Sequence, residues 1–208
     1  MACCTTVADG DLRPEHSDEA ARRAIADLPW RFCAQVHGTT VARTGAGAGR
    51  PVADALVTTD DVALALLGAD CALVALASPE GVRGVAHAGW RGLAGGVIEK
   101  TAAAMRELGA SEIAAVSSPA IHPECYAFSP ADLEALVAVL GEEVRATTAD
   151  GEPALDLPRG VAGALARAGV TDLGALGGCT GCDERFYSFR RRGEAARHAL
   201  VLRPAPSR

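Results

Sequence analysis

The side chains of this sequence that could do chemistry stand at the ends of short apolar runs, beside glycine or aspartate. His87 ends one such run and precedes the turn Gly89-Trp90-Arg91-Gly92. His37 is followed by a glycine, and Cys71 follows Asp70. Glycines at such places let the backbone approach a ligand closely. Two imidazoles and a thiolate are ligands for a metal ion, and a thiolate beside an imidazole is also a nucleophile.

Each of these three residues also has an ordinary structural explanation. A histidine at a strand end usually belongs to the core or the sheet edge, and a buried cysteine usually acts as a small hydrophobic residue. The spacing of His37, Cys71 and His87 matches no short metal motif. Asp70 and Cys71 interrupt an apolar run, where a polar pair costs several kcal/mol unless it is partnered or used. The residues alone leave a metal site, a nucleophilic thiol and a structural role open.

Composition places the chain among ordinary globular proteins. Its 208 residues are 49% hydrophobic and 22% charged, which predicts one domain over residues 1–208. A net charge of −6 argues against a general nucleic-acid surface. No apolar run approaches the roughly 18–20 residues that a membrane span needs, and no signal peptide is recognisable. We therefore expect a cytoplasmic protein without nucleic-acid or membrane partners.

The local patterns predict more strands than helices, in mixed order. This favours an α/β or α+β class with sheet at the centre. The run 62–77 is divided at 68–71 into two strands, and Ser129 with Pro130 caps a helix to Leu140. Other helices are expected at 17–28, 93–108 and 158–168, and strands at 3–6, 31–37, 53–59, 84–87, 112–117, 170–176, 186–189 and 198–202. Residues after Arg203 are expected to form a frayed tail.

One further motif is Cys179-Thr180-Gly181-Cys182, which has the spacing of a redox or zinc motif. No second pair of this spacing accompanies it. The chain has seven cysteines, an odd number, and in a reducing compartment most are expected to be thiols. We therefore interpret the pair as two small residues at a turn.

Several segments, taken in order, resemble one known family over about residues 35–202. They are Gln35-Val36-His37-Gly38, Ala53-Asp54-Ala55-Leu56-Val57-Thr58, Ala69-Asp70-Cys71, Ala86-His87-Ala88-Gly89-Trp90-Arg91-Gly92, Cys179-Thr180 and Phe186-Tyr187-Ser188-Phe189-Arg190-Arg191 with Gly193. The family is that of the multicopper polyphenol oxidase or laccase-domain proteins. Its members include purine nucleoside phosphorylases that also deaminate adenosine, and a peptidoglycan editing factor.

The resemblance implies a fold, a metal site and a substrate. The fold would be a single-domain layered α/β sandwich with a central mixed sheet, similar to cysteine-hydrolase folds. His37, Cys71 and His87 would be both the metal ligands and the catalytic residues, with zinc, or else copper, as the cofactor. The substrates would be a purine nucleoside and phosphate, bound by a monomer or homodimer. The residues expected to contact them are Asp70, Trp90, Arg91, Ser188, Arg190 and Arg191, with Phe189 as a second candidate for stacking on a base.

The sequence departs from the family pattern at two places. Val7 stands where the family pattern suggests an arginine, a candidate anion ligand, and Val116-Ser117-Ser118-Pro119 replaces the usual Ile-Gly-Pro. Both departures bear on phosphate binding rather than on the metal ligands. We therefore expect deamination to tolerate them better than phosphorolysis.

Three alternative functions remain. The metal-free alternative is a Cys-His hydrolase acting on an amide of a peptidoglycan precursor. A copper oxidoreductase could hold one ion only, because a multicopper cluster needs many more imidazoles than this chain has. The five histidines are His16, His37, His87, His122 and His198, and His16 and His198 are expected in exposed stretches. The third alternative is a non-catalytic module that binds a metal or small ligand.

Overall fold

The computed structural model describes residues 1–205, which form two stacked β-sheets with most of the helices on the outer face of one of them. The larger sheet has six strands, in the spatial order β11 (Thr171–Ala175), β8 (Ala114–Ser117), β6 (Ala72–Ala77), β7 (Arg83–Ala88), β4 (Ala55–Thr58) and β3 (Val41–Arg43). The smaller sheet has the order β1 (Ala2–Cys4), β12 (His198–Leu202), β5 (Ala63–Gly68) and β2 (Trp30–Arg31). Both sheets combine parallel and antiparallel pairs, so the expectation of mixed sheet is confirmed.

The remaining elements are short helices and one ribbon. The ribbon pairs β9 (Arg145–Thr147) with β10 (Pro153–Leu155). The helices are α1 (Glu19–Ile25), α2 (Trp90–Ala94), α3 (Val97–Glu107), α4 (Pro130–Leu140), α5 (Leu157–Arg167) and α6 (Phe189–Arg192). Within residues 1–205, every helix is too short or too polar to cross a bilayer.

Alternation of side chains along the strands builds the layers, because successive side chains of a strand point to opposite faces. In β6, Val74 and Leu76 join the core beneath α3, α4 and α5, whereas Leu73 and Ala75 point into the space between the sheets. Strand β5 fills the same space with Leu64 and Leu66. The outer face of the smaller sheet is covered by the segment that contains Leu12 and Ala26.

Several sequence predictions agree with the structure. The run 62–77 is two strands that end and begin on either side of Ala69-Asp70-Cys71, and α4 begins at Pro130 after the Ser129 cap. Ser129 Oγ accepts the backbone N–H of Asp132, which satisfies one of the free amides of the first turn. These elements were predictable because their signals lie within a few residues of one another.

Other predictions need correction. The strand expected at 31–37 ends at Arg31, and the next residues turn so that His37 adopts a φ of 60°. The helix expected at 93–108 is two helices, α2 and α3, because Gly96 adopts a left-handed conformation between them. The strand expected at 186–189 is a loop followed by α6, which Ser188 caps.

At the two ends of the chain, Asp18 rather than Ser17 caps α1, whose last residue is Ile25. The tail expected after Arg203 runs into residues 206–208, which lie outside the described residues.

Candidate metal centre and substrate pocket

Three chain segments bring His37, Cys71 and His87 to one point. Their ligand atoms all lie within 4.8 Å of one another, and the two imidazole ring centroids are 4.7 Å apart. Zinc binds histidine nitrogen and cysteine sulfur at about 2.0–2.3 Å, so one ion fits between atoms at this separation with small side-chain adjustments. The donor set suits zinc or copper, which accept both imidazole and thiolate.

Cys71 follows a strained turn between β5 and β6. Asp70, the residue before it, has a φ of 103°, a conformation that side-chain-bearing residues rarely adopt. Its buried carboxylate accepts hydrogen bonds from Thr180 Oγ1, Ser188 Oγ and the backbone N–H of Arg190, each at 2.7 Å. Asp70 lies in the pocket wall, but these three bonds make it a residue that fixes the turn carrying Cys71.

His37 is held in a turn beside the same strand. The side chain of Gln35 pairs with the backbone of Leu67 through two hydrogen bonds of 2.9 Å, which attaches this turn to β5. The imidazole reaches Cys71 across Gly89. A Cβ atom on Gly89 would lie 2.9 Å from Cys71 Sγ and 3.2 Å from His37 Cδ2, so only glycine leaves room there for the two ligands.

Asp54 is a residue of the site that was not predicted from the sequence. Its fully buried carboxylate accepts the backbone N–H groups of Val36, His37 and Gly38 and lies 2.8 Å from Nδ1 of His87. This contact leaves Nε2 of His87 as the nitrogen available for a metal, the arrangement seen in carboxylate–histidine–metal groups. A signal was available, because an aspartate in an apolar strand needs partners just as Asp70 does.

The site is electrostatically coupled. Burial by itself raises the pKa of Cys71, but the imidazoles of His37 and His87 outweigh it and lower that pKa to about 6. For His87, burial lowers the pKa, yet the contacts with Asp54 and Cys71 raise it to about 9. Burial likewise opposes ionisation of Asp54, but the hydrogen bonds from His87 and Gly38 lower its pKa. Without a metal, the site therefore favours a thiolate beside an imidazolium.

A cavity of about 490 Å³ opens above the three ligands. Its wall carries five guanidinium groups in a chain whose net charge is −6, so positive charge is concentrated at this place. The arginines are Arg13, Arg50, Arg91, Arg190 and Arg197. Three aromatic side chains, Trp90, Tyr126 and Phe189, complete the wall, and Phe189 is 60% exposed. Such a cavity suits a ligand with a flat ring and an anionic partner.

The predicted substrate-contacting residues fall into two groups. Trp90, Arg91 and Arg190 line the cavity together with Asp70; the Arg91 guanidinium lies 4.1 Å from the Trp90 ring centroid. Ser188 and Arg191 lie outside the lining. Ser188 is buried and donates its hydroxyl to Asp70, and it accepts the backbone N–H of Arg191. These two residues support the wall rather than form it.

Three lining arginines, Arg13, Arg50 and Arg197, were not predicted. Arg13 precedes all the recognised motifs, and Arg50 and Arg197 lie just outside two of them, so only the fold shows that the three side chains reach the cavity. Val7, where an arginine was expected, is partly exposed and donates its backbone N–H to Arg185 outside the cavity lining. The cavity is therefore rich in arginine although position 7 is not.

The expectation for His198 was wrong. Its side chain is fully buried in β12, and both ring nitrogens lack a hydrogen-bond partner among the described residues. Burial lowers the pKa of His198 to about 4, so this imidazole is neutral. It packs edge-on against Phe186 and parallel to Tyr187, both 5.7–6.5 Å away between ring centroids. His16 is exposed, as expected.

Fold and site together define an α/β protein of two stacked mixed sheets, with a His-Cys-His group at the base of an arginine-rich pocket. The model of the family described as multi-copper polyphenol oxidoreductase laccase matches residues 5–203. The chain belongs to this family, which confirms the resemblance drawn from the motifs.

Relatives and solved structures agree with this membership. A purine nucleoside phosphorylase of Streptomyces coelicolor is 42% identical over 182 residues, covering 83% of this chain and 75% of that protein. One from Deinococcus radiodurans is 40% identical over 173 residues, covering 81% and 67%. The crystal structure of YlmD from Geobacillus stearothermophilus is similar with a TM-score of 0.76 at 32% identity, covering 89% and 79%. Protein NMB0706 of Neisseria meningitidis gives 0.76 at 30% identity, covering 94% and 86%. The predicted α/β fold is thereby confirmed.

Proposed function

We propose that this protein is a purine nucleoside phosphorylase that also deaminates adenosine, with a metal ion held by His37, Cys71 and His87. The observation that carries the proposal is the meeting of these three ligands beneath a cavity lined by five arginines and three aromatic side chains. The names of the relatives from Streptomyces and Deinococcus support the phosphorylase part. Zinc is the proposed ion.

The residues of the chain would divide the work of binding. Trp90 and Phe189 offer aromatic faces to the purine, since a base gains about 1–3 kcal/mol from stacking on an aromatic ring. Arg91 and Arg190 face the same space and would hold phosphate near C1′ of the ribose. A phosphate oxygen would form the new bond to C1′ while the bond from C1′ to the purine nitrogen breaks, and the purine leaves with a proton.

Deamination would use the same cavity without phosphate. Water adds to C6 of adenosine and ammonia leaves, giving inosine. Zinc bound by two imidazoles and one thiolate supplies Lewis-acid chemistry suited to activating water. Asp54 keeps His87 oriented, and the Asp70 turn keeps Cys71 in place. Val7, where an arginine that binds an anion was expected, lies outside the cavity lining. The expected preference for deamination over phosphorolysis therefore depends on whether Arg13, Arg50 and Arg197 bind phosphate instead.

One chromatographic assay tests the proposal. Metal-quantified protein is given adenosine or inosine, with and without inorganic phosphate. Adenine or hypoxanthine that forms only with phosphate supports phosphorolysis, and inosine from adenosine without phosphate supports deamination. Formation of neither product by protein with a full metal complement would refute both activities. The same preparation, given a phenol and oxygen, tests the single-copper oxidoreductase.

A second candidate is a metal-independent cysteine hydrolase acting on an amide. The contact chain Asp54–His87–Cys71 favours it, because an orienting carboxylate, a base and a nucleophile occur in that order. Cleavage of a muropeptide amide by chelator-treated protein, with no nucleoside product from the metal-loaded form, would select this candidate. If no substrate is turned over while metal and nucleoside still bind, the protein is a binding module.

A further inference from the structure

A second group of possible metal ligands, made of three thiols, lies outside the cavity wall. The Sγ atoms of Cys125, Cys179 and Cys182 all lie within 4.8 Å of one another, and those of Cys125 and Cys182 are 3.3 Å apart. Cys125 ends the 3-10 turn Pro123–Cys125, and the other two form the pair that the sequence analysis interpreted as plain turn residues. That interpretation rested on the lack of a second cysteine pair. The fold brings a single distant cysteine, Cys125, next to that pair as the third thiol.

Hydrogen bonds and backbone packing bring these thiols together. The backbone N–H of His122 donates to Cys179 Sγ at 3.3 Å. The backbone N–H groups of Cys182 and Asp183 donate to the carbonyl oxygen of Cys179, which closes the turn that carries both cysteines. A Cβ atom on Gly181 would lie 2.9 Å from Cys125 Sγ, so glycine is required for the close approach.

A carboxylate oxygen lies beside the three thiols. Glu124 Oε1 lies 3.8 Å from Cys182 Sγ and 3.8 Å from Nδ1 of His122. The carboxylate of Glu124 adds negative charge beside sulfur atoms that already lie close together. Three sulfur atoms at these separations with a carboxylate oxygen beside them form a donor group that a cation would stabilise.

We propose that Cys125, Cys179 and Cys182 bind a second Zn²⁺ ion, with Glu124 as the fourth ligand. Three thiolates and one further donor in a closed arrangement are typical of structural rather than catalytic zinc. A disulfide between Cys125 and Cys182 would use only two of the three thiols and would leave Cys179, whose Sγ lies within 4.8 Å of both, without a role. On binding, each thiol loses its proton to solvent, and no electron is transferred.

The second ion would hold the wall of the substrate pocket. Thr180, between the two cysteines of the loop, donates its hydroxyl to Asp70, the residue before Cys71. On the other segment Tyr126 follows Cys125 and lines the cavity, with the guanidinium of Arg190 4.8 Å from its ring centroid. An ion that ties Cys125 to the 179–182 loop would thus fix the position of both groups.

The experiment counts ions and the thiolates that bind them. Anaerobic, reduced, metal-free protein is titrated with Zn²⁺ and with Co²⁺, whose thiolate charge-transfer absorption grows with the number of sulfur ligands. The titration is done in a Cys71→Ser background, which removes the only thiolate of the first site. We expect tight binding of one Co²⁺ ion with the strong absorption of several thiolates, and an upward shift in Tm with Zn²⁺.

Two variants in that background decide the outcome. Cys182→Ser changes an exposed side chain and should lower the absorption and reduce the Tm shift, whereas Cys3→Ser, at a thiol of β1, should leave both unchanged. Absorption and Tm shift that are unchanged in both Cys182→Ser and Cys125→Ser overturn the proposal. So does a reduced protein that binds no ion here, whether or not Cys125 and Cys182 form a disulfide when it is exposed to air. Circular dichroism of each variant shows whether the fold is retained.

Discussion

Asp54 Oδ1 lies 2.8 Å from Nδ1 of His87, and the same carboxylate accepts the backbone N–H of His37. One buried side chain therefore positions two of the three proposed metal ligands, one through its imidazole and one through its backbone. Along the chain, Asp54 is 33 residues from His87 and 17 residues from His37. The arrangement makes Asp54 the residue on which the geometry of the site depends most.

Replacing Asp54 tests this dependence. Asp54→Asn keeps the shape but removes the charge and one acceptor, so His87 loses its preferred tautomer and orientation. We expect metal affinity at the first site to fall by about 10–100-fold, the usual cost of losing such a partner. Chelator competition in a Cys182→Ser background measures it. Asp27→Asn, at an exposed position, serves as the control. Unchanged affinity in Asp54→Asn would show that His87 needs no partner.

Cys71→Ala and His87→Ala should each abolish turnover while the fold is retained. Each removes one of three ligands, but neither removes a large part of the core. Because site residues are often held in desolvated or strained positions, we expect the Tm of metal-free Cys71→Ala to be equal to that of wild type or higher. His87→Ala removes the imidazole partner of the buried Asp54 carboxylate and should lower Tm. Cys4→Ala and His16→Ala are matched controls that should keep full activity. Near wild-type turnover in both site variants would favour the binding-module alternative.

The acidity of Cys71 predicts a pH profile for the metal-free protein. The thiolate is the reactive form, and the pKa of Cys71 is lowered to about 6 by its two imidazole neighbours. Its alkylation by iodoacetamide should therefore rise with pH to a plateau with a midpoint near 6, well below the roughly 8.5 of an ordinary thiol. Mass spectrometry of the Cys71 peptide follows the reaction.

His87→Ala provides the internal comparison for this profile, because it removes one source of the lowered pKa. The midpoint for Cys71 should then move upward. A wild-type midpoint near that of an ordinary thiol, or no shift in His87→Ala, would contradict the coupling described for the site.

Arg91→Ala should selectively weaken the binding of phosphate. Its guanidinium is exposed in the cavity wall and rests on Trp90, so it is available for a charge-assisted contact. Such a contact contributes about 1.5–3 kcal/mol, which corresponds to a roughly 10–100-fold rise in KM for phosphate. Deamination of adenosine without phosphate should keep its kcat. Arg23→Ala, at an exposed ion pair with Glu19, is the control, and an unchanged KM for phosphate in Arg91→Ala would remove Arg91 from the anion site.

Local signals predicted much of the fold and the centre of the site. The division of the run 62–77 and the capped helix from Pro130 follow from residues that are neighbours in sequence. The motifs that carry His37, Cys71 and His87 were recognisable, although only the fold shows that their ligand atoms meet. The turn at His37 was missed, because its φ of 60° depends on the carboxylate of Asp54 rather than on local preference.

Features that depend on distant parts of the chain could not be predicted in this way. Arg13 and Arg197 reach the cavity from opposite ends of the sequence. The carboxylate of Asp11 accepts hydrogen bonds from the guanidinium of Arg13 and from the backbone N–H of Arg197. His198 looked exposed because polar residues precede it, yet β12 pairs with β1 and β5 on both sides and buries it. The environment of Arg197 depends on a contact with a residue near the other end of the chain. The environment of His198 depends on the position of β12 between two other strands.

The turn Ala69-Asp70-Cys71 is where the chain leaves the smaller sheet and enters the larger one. Cys71 therefore lies where the chain passes from one sheet to the other, whereas His87 is part of a strand of the larger sheet. Cys71 directly precedes β6, whose pairing with β7 places Leu73 opposite His87. The distance between thiol and imidazole is therefore set by the register of these two strands within the larger sheet. A misplacement of about 1 Å can cost an enzyme a hundredfold in rate. A slip in the pairing of β6 with β7 would thus separate the reactive groups even if each strand remained intact.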